Sequence, residues 1–203
     1  MSEILVNTIK KADGTGSLTV PADTGTVLTS ATALSNFPSG FANGITVAGL
    51  WRITANVEAG PNSDDQLTAN WEEVDTYNYA RIGSAMTESS GTFSFPETGI
   101  YKITFRNEAI VSSTYSNDVR YVQAKIFVTT DNSTYNVAAE ATGSIKYQTS
   151  TTHGNAQAVH YFDVTNTSTH KVRFHIQGGN YFFAAGSTSV TLTFAEFERL
   201  GDT

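Results

Sequence analysis

Gly91-Thr-Phe-Ser-Phe-Pro-Glu-Thr-Gly-Ile-Tyr-Lys-Ile-Thr-Phe105 reads as a strand, a tight turn and a second strand of near-perfect alternation. In its second half Tyr101, Ile103 and Phe105 share one face and Lys102, Thr104 and Arg106 the other, the period of two that marks a half-buried strand. One face meets a core and the other meets water. Between the strands Pro96 fixes φ and has no N–H to give to a ladder, while Gly99 tolerates a left-handed backbone, so the chain must bend there.

The same texture extends in both directions. Downstream, Val122, Ala124, Ile126 and Val128 form a third apolar face, and the Asp131-Asn-Ser133 turn leads into Tyr135, Val137, Ala139 and Ala141. Ala156, Ala158, Phe162 and Val164 come after it, then the Asn166-Thr-Ser168 turn, then Val172, Phe174 and Ile176, and last Val190, Leu192 and Phe194. Upstream, Trp51, Ile53, Ala55 and Val57 share a parity; Leu67, Ala69 and Trp71 form the next run, continuing through Val74, Tyr77 and Tyr79 toward Ile82. About eight strands, no helical period and no fixed repeat predict an all-β fold, a two-sheet antiparallel jelly-roll sandwich. The parity change between Phe194 and Phe197 predicts a bulge near Ala195-Glu196.

Residues 1–48 differ. Their only aromatics are Phe37 and Phe41, and the short apolar pulses Ile4-Leu-Val6, Leu18-Thr-Val20 and Val27-Leu28 sit between turn signals such as Asp13-Gly-Thr-Gly16 and Pro21. No pulse is long enough to close a core of its own, so this segment is predicted to be a short, extended, β-rich anchor ordered through assembly, with the head occupying residues 49–203.

A net charge of -7 with 12 Lys and Arg argues against a surface that tracks phosphates, so no nucleic-acid partner is expected. The absence of cysteine excludes disulfides, thiolate metal sites and a thiol nucleophile. Met1-Ser2-Glu3-Ile4-Leu5-Val6 lacks the basic and apolar regions of a secretory signal, and no stretch approaches the roughly 18 apolar residues of a membrane span. Cytoplasmic synthesis without membrane insertion is the expectation, and the sequons at Asn132 and Asn166 then read as turn residues.

Chemistry-bearing residues are scattered. His170 and His175 have opposite parity, His153 reads as a loop residue, and His160 shares the core parity of Ala158 and Phe162, so no metal and no cofactor are assigned. No G-x-S-x-G elbow occurs, and the adjacent Glu72 and Glu73 point to opposite faces, so no catalytic residue is assigned either. Asp64-Asp65 reads as a polar turn, with calcium as the alternative. Lys171, Arg173, His175 and Gln177 form the polar, solvated face of their strand. Gly178-Gly-Asn-Tyr-Phe-Phe-Ala-Ala-Gly186 is an aromatic patch bracketed by glycines; Asn180, Tyr181, Phe182 and Phe183 are the candidate contacts for a surface glycan or protein, against the alternative that the rings pack beneath the sandwich. Outward-parity Phe127 and Tyr161 are candidates for an interface between subunits.

The order Gly91-x-Phe93-x-Phe95-Pro96-x-x-Gly99-x-Tyr101-x-Ile103-x-Phe105 resembles the globular heads of the tumour necrosis factor and complement first-component superfamily. That resemblance implies a compact jelly roll that assembles as a homotrimer. The run Ser187-Thr-Ser-Val-Thr-Leu-Thr-Phe-Ala-Glu-Phe197 looks like the superfamily's final strand, which implies that Phe194 and Phe197 line the threefold contact. The opening from Ile4 to Pro21 looks like the start of bacteriophage tail-fibre-like virion proteins, and Glu198-Arg-Leu-Gly201 is similar to the ends of phage-borne jelly-roll heads. Together these resemblances imply a virion location, other virion proteins held through residues 1–48, and host-surface adhesion, with capsid decoration or a tail connector as the alternative. The collagen-like stalk of the complement relatives is missing.

Overall fold

In the computed structural model, which describes residues 44–113, 119–146 and 150–203, thirteen strands succeed one another with no α-helix among the described residues. The apolar pulses and the phage-like opening fall within residues 1–43, outside the described residues, as does most of the expected anchor. In chain order the strands are β1 (Ala48–Ile53), β2 (Val57–Ala59), β3 (Asp65–Gln66), β4 (Trp71–Glu73), β5 (Thr87–Ser89), β6 (Thr92–Ser94), β7 (Gly99–Val111), β8 (Tyr121–Thr129), β9 (Asn136–Ser144), β10 (Thr152–Val164), β11 (Lys171–Gly178), β12 (Phe182–Ala184) and β13 (Phe194–Gly201). They form two antiparallel sheets. One has seven strands, ordered β2-β12-β7-β13-β1-β4 with β10 along the other side of β7; the other has six, ordered β5-β6-β11-β8-β9 with β3 against β11. This is the jelly-roll sandwich that the alternation predicts.

The decisive stretch behaves as its residues dictate. Phe93, Phe95, Tyr101, Ile103 and Phe105 are all buried. Gly99 has φ 145°, and a Cβ there would collide with Arg199 Nε and lie 2.6 Å from the Gly201 carbonyl oxygen, so both backbone and space require glycine. Gly91, at φ 76°, lies so close to the Leu67 carbonyl oxygen that a Cβ would overlap it. Both sequons are turns: Asn132 has φ 58°, and Asn166 Oδ1 accepts the Ser168 N–H at 2.9 Å.

Between the sheets the filling is aromatic. Phe93 packs edge-on to Trp51 (5.4 Å between centroids), Trp71 (5.1 Å) and Phe174 (5.4 Å), and Phe174 stacks on Phe105 at 4.8 Å. Phe197 closes the group against Phe93 at 5.3 Å.

Several expectations are corrected. The last strand begins at Phe194, not near Val190, which is exposed; from there Ala195, Phe197 and Arg199 point inward and Phe194 outward. The irregularity lies between Arg199 and Gly201 instead of at Ala195-Glu196, because the apparent parity change came from counting outward Phe194 as a core residue. The run from Val74 to Ile82 is not a strand: Tyr77 and Asn78 both have positive φ (55° and 59°), and the chain turns back there. His153 lies inside β10, paired with Ile110, and not in a loop.

Phe174 touches aromatic rings from both sheets, so Phe174→Ala is expected to cost about 3–5 kcal/mol by loss of burial and creation of a cavity. Urea denaturation of the two proteins measures this; a cost below about 1 kcal/mol would mean that the ring is not a central support.

Candidate assembly face

Antiparallel register puts directly opposed residues on one face, so the outer surface of the seven-stranded sheet can be read row by row. One row runs Val159 (β10), Thr104 (β7), Glu196 (β13), Leu50 (β1); the next runs Tyr161, Lys102, Glu198, Ala48. A third runs Gln157, Arg106, Phe194, Arg52, Glu72. The buried neighbours Ala158 and Phe162 hold β10 in this phase, so Val159 and Tyr161 must face out, 43% and 60% exposed.

The polar members of the face are mostly paired. Lys102 Nζ lies 2.7 Å from Glu198, which holds its ammonium above the usual lysine range. Arg106 pairs with Glu108 at 2.6 Å. Arg52 is fully buried: it donates to Glu72 from Nε (2.8 Å) and Nη2 (2.5 Å), to Asp75 (2.8 Å), to Thr76 Oγ1 (2.9 Å) and to the Thr188 carbonyl (2.5 Å). That guanidinium ties the 75–76 and 187–190 loops to the sheet. Glu196 has no hydrogen-bond or ion-pair partner among the described residues.

At the β1 flank the 75–82 turn folds back, and the Leu50 N–H donates to Tyr79 Oη at 2.8 Å. The resulting groove, about 200 Å³, is lined by Ala48, Leu50, Tyr79, Ile82, Glu196 and Glu198 among others. Burial raises the Tyr79 hydroxyl above the usual tyrosine range, and the nearby Glu73 carboxylate adds to this.

The sequence-derived candidates separate. Tyr161 and Phe194 share this face. Phe197 does not: it is fully buried between the sheets and cannot meet another subunit from there. Phe127 lies on the outer face of the other sheet, stacked on His175 at 4.0 Å. In the 178–186 segment Phe182 is fully buried under the sandwich, which removes it as a surface contact, and Phe183 and Asn180 are half-buried. Tyr181 is 38% exposed, and its N–H donates to Asn180 Oδ1 at 2.8 Å.

The outer face of the six-stranded sheet is less solvated than its composition implies. Lys125 is buried between Gln177 (2.5 Å), Asp64 (3.4 Å) and Glu140 (3.5 Å), Arg173 lies 3.6 Å above the Tyr135 ring, and Lys171 donates to the Thr167 carbonyl at 2.7 Å. Asp64 also sits 3.1 Å from His175 Nδ1, and Asp65 accepts the Gly60 N–H at 2.7 Å and the Ser63 hydroxyl at 2.5 Å. The carboxylates of this turn are thus occupied by protein groups. His170 is a buried histidine stacked on Phe162 at 5.5 Å, and Glu72 and Glu73 serve Arg52 and Arg81. The groove has no signature in the sequence, because Tyr79 reaches β1 across 29 residues with no local pattern to announce it.

Burial pushes the His175 imidazole below the usual histidine range although Asp64 pulls the other way, and burial alone does the same to His160. Between the folded value and the unfolded 6.5 the unfolded chain binds more protons, so stability is full above pH 6.5 and falls as pH drops below it. Denaturant midpoints should therefore decline between about pH 7.5 and 5.5, and less steeply for His160→Asn. Equal midpoints across that range would contradict it.

No protein-family model and no curated protein sequence matches the chain. Solved structures do. An Eiger TNF from S. frugiperda superposes with a TM-score of 0.55 at 10% identity, covering 79% of this chain and 95% of that one. Murine APRIL at pH 5.0 gives 0.52 at 11%, covering 76% and 98%. The PRD1 vertex protein P5 gives 0.45 at 15%, covering 78% and 99%, a score too low to carry weight. At these identities what is shared is the fold, the jelly roll that this chain has in common with the Eiger TNF and APRIL structures.

Proposed function

We propose that this chain is a non-enzymatic structural protein of a bacteriophage virion, a tail fibre or similar appendage, whose head closes as a homotrimer and adheres to the host surface. The observation that carries the reading is the outer face of the seven-stranded sheet, where Val159, Tyr161, Phe194 and Leu50 form apolar surface around largely neutralised charges. A second copy is the occupant that such a face fits, since Val159, Tyr161 and Leu50 leave apolar surface at both flanks and the charges between them, Glu196 apart, are already paired. The phage context comes from the resemblance of the opening and closing segments, and residues 1–48 are the part assigned to mounting on other virion proteins.

The polarity of the head suits display. The described chain enters beside β1 and leaves after β13 at one end, near the 95–98 turn, where Arg199 donates to the Thr98 carbonyl (2.8 Å) and Thr46 Oγ1 (3.1 Å) and pairs with Asp202. The Gly178–Tyr181 segment lies at the other end of the 13-residue β7, about 40 Å away for an extended strand. Tyr181 and Phe183 are the proposed contacts for a host glycan or protein. Three copies of one weak site engaged together bind with avidity orders of magnitude above a single site.

Sedimentation of the full chain at micromolar concentration should give the trimer mass, and Val159→Asp, which puts a charge into the face without touching the core, should give a folded monomer. A wild-type monomer would sink the reading. Purified head should also compete with phage for adsorption, and Tyr181→Ala should compete less well. A trimer that never competes would favour capsid decoration or a connector role instead.

A further inference from the structure

The way copies of the chain meet, given the trimer reading, is written in two unlike features on the outer face of the seven-stranded sheet. At the β10 flank Tyr161 projects with 60% of its surface exposed and no hydrogen bond among the described residues. At the β1 flank lies the groove walled by Tyr79, Ile82 and Glu196. A cavity of about 150 Å³ holds benzene, so a groove of about 200 Å³ has room for a phenol ring. Its half-buried wall carries the one carboxylate of these rows with no hydrogen-bond or ion-pair partner among the described residues, Glu196, which Lys102 attracts only at longer range.

The turn that builds the groove is strained in a telling way. The Tyr79 N–H donates to the Thr76 carbonyl at 3.2 Å across two left-handed residues, Tyr77 and Asn78. That is a type I′ turn, whose first central position favours Gly, Asn or Asp. Here it is filled by tyrosine, and the ring is 86% exposed, two residues before the groove-lining Tyr79. An aromatic held out at a conformational cost, on the turn that carries a wall of the groove, gains from a covering surface.

Tyr161 cannot fill the groove of its own protomer. Ala48, in the groove, is opposite Glu198, which is opposite Lys102, which is opposite Tyr161. Three strand spacings, about 14 Å, separate them. We propose that Tyr161 of each copy inserts into the Leu50–Tyr79–Ile82 groove of the next, its hydroxyl donating to Glu196, with Tyr77 covering the flank. Knob and groove are different patches, so under the trimer reading each knob enters the next copy's groove and the ring closes by rotation, whereas reciprocal insertion would join two copies and stop the ladder at dimer, which would overturn the contact.

The cysteine-free chain makes the test clean. Val159→Cys, beside the knob, and Ala80→Cys, at the groove, are combined in the full-length protein and treated with a short-spacer bismaleimide. The expected product is a ladder of covalent dimer and trimer that stops at three, with neither single variant forming it. Tyr161→Ala should raise the concentration for half-dissociation at least about thirtyfold, and Tyr161→Phe should raise it less. A trimer by sedimentation that gives no ladder, or that is indifferent to Tyr161→Ala, overturns the contact while leaving the trimer reading intact. Dimers from Val159→Cys alone would mean that like patches meet, which overturns it as well. A chain that sediments as a monomer overturns both.

Discussion

Everything in the head depends on the aromatic group that spans the two sheets. Phe93 from β6 and Phe174 from β11 meet Trp51, Trp71, Phe105 and Phe197, contributed by β1, β4, β7 and β13. Four strands of one sheet are thereby fixed against two of the other. Each such ring pair contributes about 0.5–1.5 kcal/mol beyond simple burial, so the group weighs heavily against a net stability of about 5–15 kcal/mol. Because it occupies one parity of β7, β11 and β13, it also dictates what the opposite parity shows to the outside.

The two outer faces resolve that obligation differently. On the six-stranded sheet Lys125 is met by Asp64, Glu140 and Gln177, Arg173 lies over the Tyr135 ring, and Phe127 is covered by His175. Val137, opposite Phe127 and 50% exposed, is the large apolar side chain left open there among the described residues. On the seven-stranded sheet the charges, Glu196 excepted, are paired but the apolar side chains are not covered, and Arg52 commits a whole guanidinium to holding loops at the border of the face. A face whose polar groups are quiet and whose apolar groups are open is the one from which assembly gains most.

The sandwich was legible because long strands carry long patterns. β11 alternates without interruption and β7 does so except at buried Thr104, and Tyr161 could be placed outside from the buried parity of Ala158 and Phe162. Short strands were not legible: β3, β5 and β12 have two or three residues, too few for a period, and exist because a neighbour offers an edge. The end of the chain misled for a related reason. Val190 and Leu192 look like strand residues, but the loop that carries them is held by Arg52 and by Ser187, whose N–H bonds the Ile53 carbonyl at 2.9 Å, instead of by a ladder. Phe182 and Phe183 differ by one residue and by a full side of the sheet, so an aromatic patch in sequence became one core ring and one half-covered ring in space. The groove needs a contact between β1 and a turn 29 residues away, which no local pattern encodes.

In the proposed assembly Glu196 would link the stability of a protomer to the choice of its neighbour. While the face is wet, its carboxylate is hydrated and carries no penalty. Once a second surface dries it, an unsatisfied charge is expensive, so only a surface that brings a donor to that point can close without penalty. A hydrophobic face alone would accept many partners and many registers. One carboxylate set between Leu50 and Thr104 would reject the registers that bring it no donor, so in the proposed assembly the residue that stays hydrated in the free protomer is the one that would make the closed contact specific.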